Sequence, residues 1–508
     1  MWTSTLDLDP KRAVVTSLLG RFWRGAYFSS FAPLQVQNLP RRPLPAPDWV
    51  RVRNRLAGIC GSDLPLITAD VDPRVTAALA GQQLYPGHEV VGEVIEVGDA
   101  VQTLQVGDTV VLQYAPHCLT AGLQPPCRAC AAGDYNLCQR AYQPGPTQIG
   151  SGWSEEMLVH EQQLFRLPES PEKPGEPLLS DEQAVMLEPT AVALHAVLRC
   201  LPQPDERVLI IGAGTIGLLT LQVVRALVPQ AVVGVMARHA FQVERATRLG
   251  AAHIIYPQDR YREVARVTGA EVVSGPLGQP ILLGGYDVIY DTVGGSQTLQ
   301  DALRWTRAGG TVVLVGRSLH RLRLDLTPVW SREVNLLGSL THGQEYWPPE
   351  QPSRTSTFAV ACELISQGLL APEQLITHRF ALTDYRHALS TAMRRAQTRA
   401  IKVIFDYALQ PALTVPNVRA SRMRRRQAAP APLHLPHTAP GSSTSGSLAP
   451  SPIEAETGAF EPSFPPSASR HPLPFSPDVT NRSSRALELE REGQEPAPGP
   501  SSERSDDA

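Results

Sequence analysis

The sequence predicts an α/β protein in three parts: a β-rich domain over residues 1–188 completed by 335–407, a parallel-sheet domain over 189–334, and a disordered tail over 408–508. Three observations predict it. Residues 45–165 carry short β-branched and apolar runs, such as 91–97 and 109–113, bounded by turn pairs such as Gly98-Asp99 and Gly107-Asp108. From 189 onward, apolar strands placed at 208–211, 231–235, 288–290 and 311–315 alternate with helices that begin near Thr215 and Ala240, the pattern of a parallel sheet with crossover helices. After Tyr407 the composition turns to Pro, Ser, Ala and Gly without lasting periodicity, as in chains that cannot bury a core.

Between 335 and 407 a helix is expected near 358–367 and a final strand at 401–405, returning the chain to the first domain. The apolar run 208–224 approaches the length of a membrane span, but Thr215, Thr220, Gln222 and three glycines favour a buried strand turning into a helix. In the tail, the basic run 419–426 reads as a solvated charge cluster.

Composition narrows the class of function. Forty-six basic residues against 49 acidic ones leave a net charge of -3, which gives no reason to expect a nucleic-acid partner. Seven cysteines in 508 residues are too few and too unevenly spaced for a disulfide scaffold, and residues 1–10 lack the basic and apolar regions of a secretion signal. A cytoplasmic protein acting on small molecules, with no membrane partner, is expected.

Two motifs carry chemistry. Cys60, in Gly58-Ile59-Cys60-Gly61-Ser62-Asp63, and His88 with Glu89, in Gly87-His88-Glu89-Val90-Val91-Gly92, offer a thiolate, an imidazole and a carboxylate to a zinc ion. Gly212-Ala213-Gly214-Thr215-Ile216-Gly217 follows the strand at 208–211 directly. Its glycines permit a tight turn, approach of a pyrophosphate to backbone N–H groups, and close helix–strand packing. The acid that usually holds the adenosine ribose at the end of the next strand is missing. Met236 and Ala237 stand there, followed by Arg238, a partner for a 2′-phosphate, so NADP is expected in preference to NAD. The competing reading keeps Arg238 as a surface residue and binds NAD through other contacts.

These residues resemble the zinc-dependent medium-chain dehydrogenase/reductase family, which includes alcohol, sorbitol and threonine dehydrogenases. The resemblance spans roughly residues 40–407 and rests on Gly87-His88-Glu89-x-x-Gly92 followed by Gly98 and Val101, the Cys60 motif, Gly107-Asp108-x-Val110, Glu188-Pro189 and the glycines from Gly212 to Gly217. It implies a GroES-like catalytic domain and a Rossmann domain. It also implies a catalytic zinc bound by Cys60 and His88, with Glu89 and Glu188 as ligands or near-ligands. Glu188, where liver-type alcohol dehydrogenases have cysteine, points toward the polyol and threonine branch. Ser62 matches the hydroxyl that passes the proton outward, and Asp63 the carboxylate that orients the zinc-bound histidine.

Cys127, Cys130 and Cys138 match three ligands of the family's structural zinc loop, while Gln124 occupies the place of the fourth. Cys118 is the nearest substitute, and a loop that has lost its metal is the alternative. Cys200 and Cys362 read as core residues. For His195 and Trp153, packing and site roles are equally open. The implied activity is hydride exchange between NAD(P) and a secondary alcohol, polyol or amino alcohol, or the reverse carbonyl reduction, by a dimer or tetramer. A non-catalytic nucleotide-binding regulator or scaffold on the same fold is the rival, and zinc-free quinone reduction a third reading; both leave Cys60, Ser62, His88, Glu89 and Glu188 without a purpose.

Overall fold

In the computed structural model, residues 1–79, 82–141, 148–258, 260–273 and 280–409 are described. The basic run 419–426 and all of the expected tail beyond 409 lie outside them, while Tyr407–Leu409 form a short 3-10 turn.

The first sheet has seven strands, in the order Ile376–Phe380, Lys402–Asp406, Trp49–Gly58, Val90–Val97, Thr109–Leu112, Leu164–Arg166, with Glu156–His160 paired to Trp49–Gly58. All of its pairings are antiparallel except that of Ile376–Phe380 with Lys402–Asp406. Val50, Val52, Val90, Val94, Val110, Met157 and Phe405 pack together in one apolar core, as period-2 burial of β-branched residues requires.

The second sheet has six strands, all parallel, in the order His253–Ile255, Val232–Met236, Arg207–Ile211, Tyr286–Asp291, Thr306–Leu314, Asn335–Gly338. Strands so placed read as continuous apolar runs because helices cover both faces, and Val208, Leu209, Ile210 and Ile211 are all buried. Strand order reverses between Arg207–Ile211 and Tyr286–Asp291, which leaves a crevice at their carboxyl ends. The sixth strand carries this sheet past 334, so the chain leaves it several residues later than the spacing suggested.

The run 208–224 resolves into the strand Arg207–Ile211 and the helix Thr215–Leu227. No helix among the described residues is long and apolar enough to cross a membrane. A further sheet of Leu34–Asn38, Trp2–Asp7 and Gln83–Leu84, with the helix Pro10–Gly20 between its first two strands in sequence, was not visible in the periodicity.

Candidate active site

The strand Trp49–Gly58 delivers Cys60 just beyond its end, and His88 and Glu89 immediately precede Val90–Val97, the strand paired with it. Sheet pairing thus joins two motifs that are distant in sequence. One donor atom from each of Cys60, His88 and Glu89 falls within 4.8 Å of the others. The Ser62 hydroxyl donates to Cys60 Sγ at 3.2 Å. Asp63, at the start of the helix Asp63–Thr68, accepts the Cys60 N–H at 3.0 Å on one oxygen and places the other 3.7 Å from His88 Nδ1.

Glu89 is held by a partner absent from the sequence reading. Lys402 Nζ lies 2.6 Å from both Glu89 oxygens, and both side chains are buried. Gly58 makes room for this carboxylate, since a Cβ there would sit 1.9 Å from Glu89 Oε2. Glu188 lies in the first turn of the helix Leu187–Arg199 and lines the same cleft, but stands outside the tight Cys60, His88, Glu89 group. Burial pushes its carboxyl up to about 7, while His88 pulls the other way.

The cofactor motif lines that same cleft, whose volume is about 2570 Å³. Gly212 takes φ of +104°, a conformation open to glycine, as the strand Arg207–Ile211 turns into the helix Thr215–Leu227. A Cβ on Gly217 would fall 1.9 Å from the Gly212 carbonyl oxygen, so the helix approaches the turn as closely as its backbone allows. Thr215 is anchored through its hydroxyl to the Ile401 carbonyl, and Ile216 lines the cleft. Arg238 is exposed at the cleft's edge, beyond Met236 and Ala237. Arg395, which no motif singled out, places its guanidinium beside Gly61 and Gly214. Only tertiary structure brings it there, because it lies in a helical stretch far along the chain from both loops.

The four sulfurs of Cys118, Cys127, Cys130 and Cys138 also gather within 4.8 Å, and none of these residues is in a disulfide. The eight-residue gap after Cys118 is absorbed by turns that bring it back, with the Cys127 N–H donating to its sulfur at 3.4 Å. N–H groups of Cys130 and Gln139 draw the Cys127 thiol down to about 6, while burial drives Cys130 upward. Four sulfurs at this spacing suit the tetrahedral geometry of a four-coordinate zinc. The lobe is tied to the rest of the fold by an Arg354–Asp134 ion pair at 2.6 Å and by Asn136 donating to the Leu340 carbonyl.

His195 and Trp153 have structural partners. His195 Nδ1 lies 2.6 Å from Glu345, which also accepts from Thr357, and Trp153 donates to the Gly58 carbonyl while packing edge-on against Phe405. Cys362 is buried in the core around the second sheet, and Cys200 packs against the same core.

A cluster of metal-ligand types and a nucleotide-binding turn that share one cleft define a metal-assisted, nucleotide-dependent oxidoreductase. Residues 46–169 match the alcohol dehydrogenase GroES-like domain, and residues 215–352 match the zinc-binding dehydrogenase domain. A sorbitol dehydrogenase of Arabidopsis thaliana is 32% identical over 369 residues, which cover 72% of this chain and 90% of the relative. Among solved structures, an alcohol dehydrogenase of Escherichia coli CFT073 complexed with NADH is 25% identical, with a TM-score of 0.58 over 73% of this chain and 96% of the other. A zinc-binding dehydrogenase of Sinorhizobium meliloti 1021 bound to NADP is 25% identical, with a TM-score of 0.55 over 73% and 95%. The chain belongs to the zinc-dependent medium-chain dehydrogenase/reductase family, and its cofactors are zinc and NAD(P).

Proposed function

We propose that this protein interconverts a secondary alcohol of a polyol and the corresponding ketone, with amino alcohols as the nearest alternative substrates. The observation that carries the reading is that Cys60, Ser62, Asp63, His88 and Glu188 line the same cleft as Gly212, Gly214 and Gly217. The polyol class is supported by Glu188 and by the sorbitol dehydrogenase relative.

Cys60 and His88 would hold the catalytic zinc, with Glu188 the nearest further acid. Glu89, with both oxygens engaged by Lys402, suits a near-ligand role better than that of a ligand. Zinc at this site supplies a Lewis acid that lowers the pKa of a bound hydroxyl, and the nicotinamide supplies the hydride acceptor. Ser62, beside Cys60, is placed to take the substrate proton toward solvent. Asp63 orients His88 and fixes the Cys60 backbone at the same time. Arg395, beside the Gly214 turn, is placed to meet the cofactor's pyrophosphate.

Arg238 supports a preference for NADP. The Cys118, Cys127, Cys130 and Cys138 set would hold a structural zinc. The exposed edge strand Asn335–Gly338, with Leu336 open to solvent, supports a homo-oligomer joined along this sheet. We place the protein in the cytoplasm, with no nucleic-acid partner.

The test is a screen of polyols, simple secondary alcohols and amino alcohols, read by absorbance of the reduced cofactor, on the wild type and Cys60→Ser. Polyol turnover that disappears in Cys60→Ser, with cofactor binding retained, is expected. Undiminished turnover in that variant overturns the zinc mechanism.

A further inference from the structure

The helix Pro10–Gly20 is turned inside out relative to an ordinary surface helix. Its small or polar residues Ala13, Thr16 and Gly20 are buried, while Val14, Val15, Leu18 and Leu19 are 58%, 42%, 53% and 43% exposed. Phe22 at 92% and Trp23 at 58% extend the apolar surface past the helix end. Positions 14, 15, 18, 19 and 22 follow helical spacing, so they form one stripe rather than scattered exceptions. Singly exposed apolar residues need no explanation, but a contiguous stripe of six does.

The inward face explains why the helix keeps this orientation. It packs against the helices Asp63–Thr68 and Pro73–Leu79 and the turn Arg24–Phe28. Gly20 lies so close to the Tyr27 ring that any Cβ would collide with it. Rolling the stripe inward would push larger side chains into that contact.

Charge then selects the occupant. Lys11, Arg12, Arg21 and Arg24 flank the stripe, residues 10–28 contain no Asp or Glu, and none of the four cations has an ion-pair partner among the described residues. The adjacent acid, Asp9, is spent on the helix start, where its Oδ1 accepts the N–H groups of Lys11 and Arg12. A symmetric contact with a second copy would bring cations against cations. An anionic headgroup layer meets both demands, since it takes up apolar and aromatic side chains and neutralises Lys and Arg.

We propose that residues 10–24 dock this protein peripherally on an anionic phospholipid surface. At 11 residues the helix lies on a bilayer rather than spanning it. This revises the expectation of no membrane partner: the helix is too short to span a bilayer but is built to lie on one. The docking helix rests against Asp63–Thr68, the element that carries Asp63, so the lipid contact lies one helix away from the proposed zinc site.

The experiment is flotation of the full chain with vesicles of phosphatidylcholine alone or mixed with phosphatidylserine, at low and high salt, alongside sedimentation to follow oligomeric state. Two double variants are compared, Leu18→Ser/Phe22→Ser and Arg21→Glu/Arg24→Glu. All four side chains are exposed and none lines the proposed active-site cleft, so retained polyol turnover reports an intact fold. Binding to phosphatidylserine vesicles that falls with salt and drops roughly tenfold or more in each variant is expected. Three outcomes overturn the proposal: no vesicle binding by the wild type, binding unchanged in the variants, or an oligomer that the variants dissociate without any lipid binding. The last would assign the stripe to a second copy.

Discussion

Lys402 closes the active-site strand pair by holding both oxygens of Glu89 at 2.6 Å in a buried ion pair that spans 313 residues of sequence. Removing one partner of such a pair strands a buried charge, at a cost of about 3–5 kcal/mol. Lys402→Met is therefore expected to lower the melting temperature by a few degrees, roughly 1 °C per kcal/mol, because the unfolding entropy of a fold this large scales with its length. Adding Glu89→Gln should recover much of the loss. Equal melting temperatures for the single and double variants would show that the pair is not what Lys402 contributes.

Metal analysis of the purified protein should find two zinc ions per chain, one for each donor group. Cys118→Ala is expected to leave one and to lower thermal stability, because the lobe it closes loses its central cation. Cys60→Ser should remove the other and leave stability less affected. A single zinc in the wild type would remove the structural site.

Arg238, just beyond the strand Val232–Met236 and lining the cleft, is expected to govern cofactor choice. The ratio of kcat/KM for NADP over NAD should be about tenfold or more in the wild type and collapse in Arg238→Ala, through loss of the contact to the 2′-phosphate. A wild type that prefers NAD by about tenfold contradicts it.

His342 predicts an acid weakness in the fold. Its buried ring packs edge-on against Phe358 at 4.7 Å, its Nδ1 has no hydrogen-bond partner among the described residues, and burial draws its pKa down to about 3. Unfolded histidine titrates near 6.5. Between about 6.5 and about 3 the unfolded chain therefore binds the extra proton, so stability falls as pH falls through this window and rises with pH. His342→Phe should flatten that part of the stability profile relative to wild type; an unchanged slope would exclude His342 as its source.

Much of the fold and site was legible in the sequence. The expected strand at 208–211 is Arg207–Ile211, the helices expected from Thr215 and Ala240 begin there, and the helix near 358–367 is Thr357–Ser366. Buried parallel strands and their glycine turns are written in local residue order, which is why these positions could be read. The N-terminal sheet was not legible, because its pairing of Trp2–Asp7 with Leu34–Asn38 and Gln83–Leu84 depends on contacts far along the chain. The helix Pro10–Gly20 escaped for a related reason: which face of it is covered depends on Tyr27 and on the helices it packs against.

By itself the sequence determined the ligand types and their spacing, from Cys60, His88 and Glu89 to the Gly212–Gly217 turn, because such chemistry depends on which side chains occur within short motifs. Tertiary structure alone decided how those groups are occupied. It committed Glu89 to Lys402, set Glu188 apart from the tight group, brought Cys118 into the sulfur cluster, placed Arg395 beside Gly214 and turned an apolar stripe toward solvent. The physical reason is that charge pairing and burial are settled by neighbours in space, and in this fold those neighbours come from distant elements, as with Lys402 and Glu89, 313 residues apart.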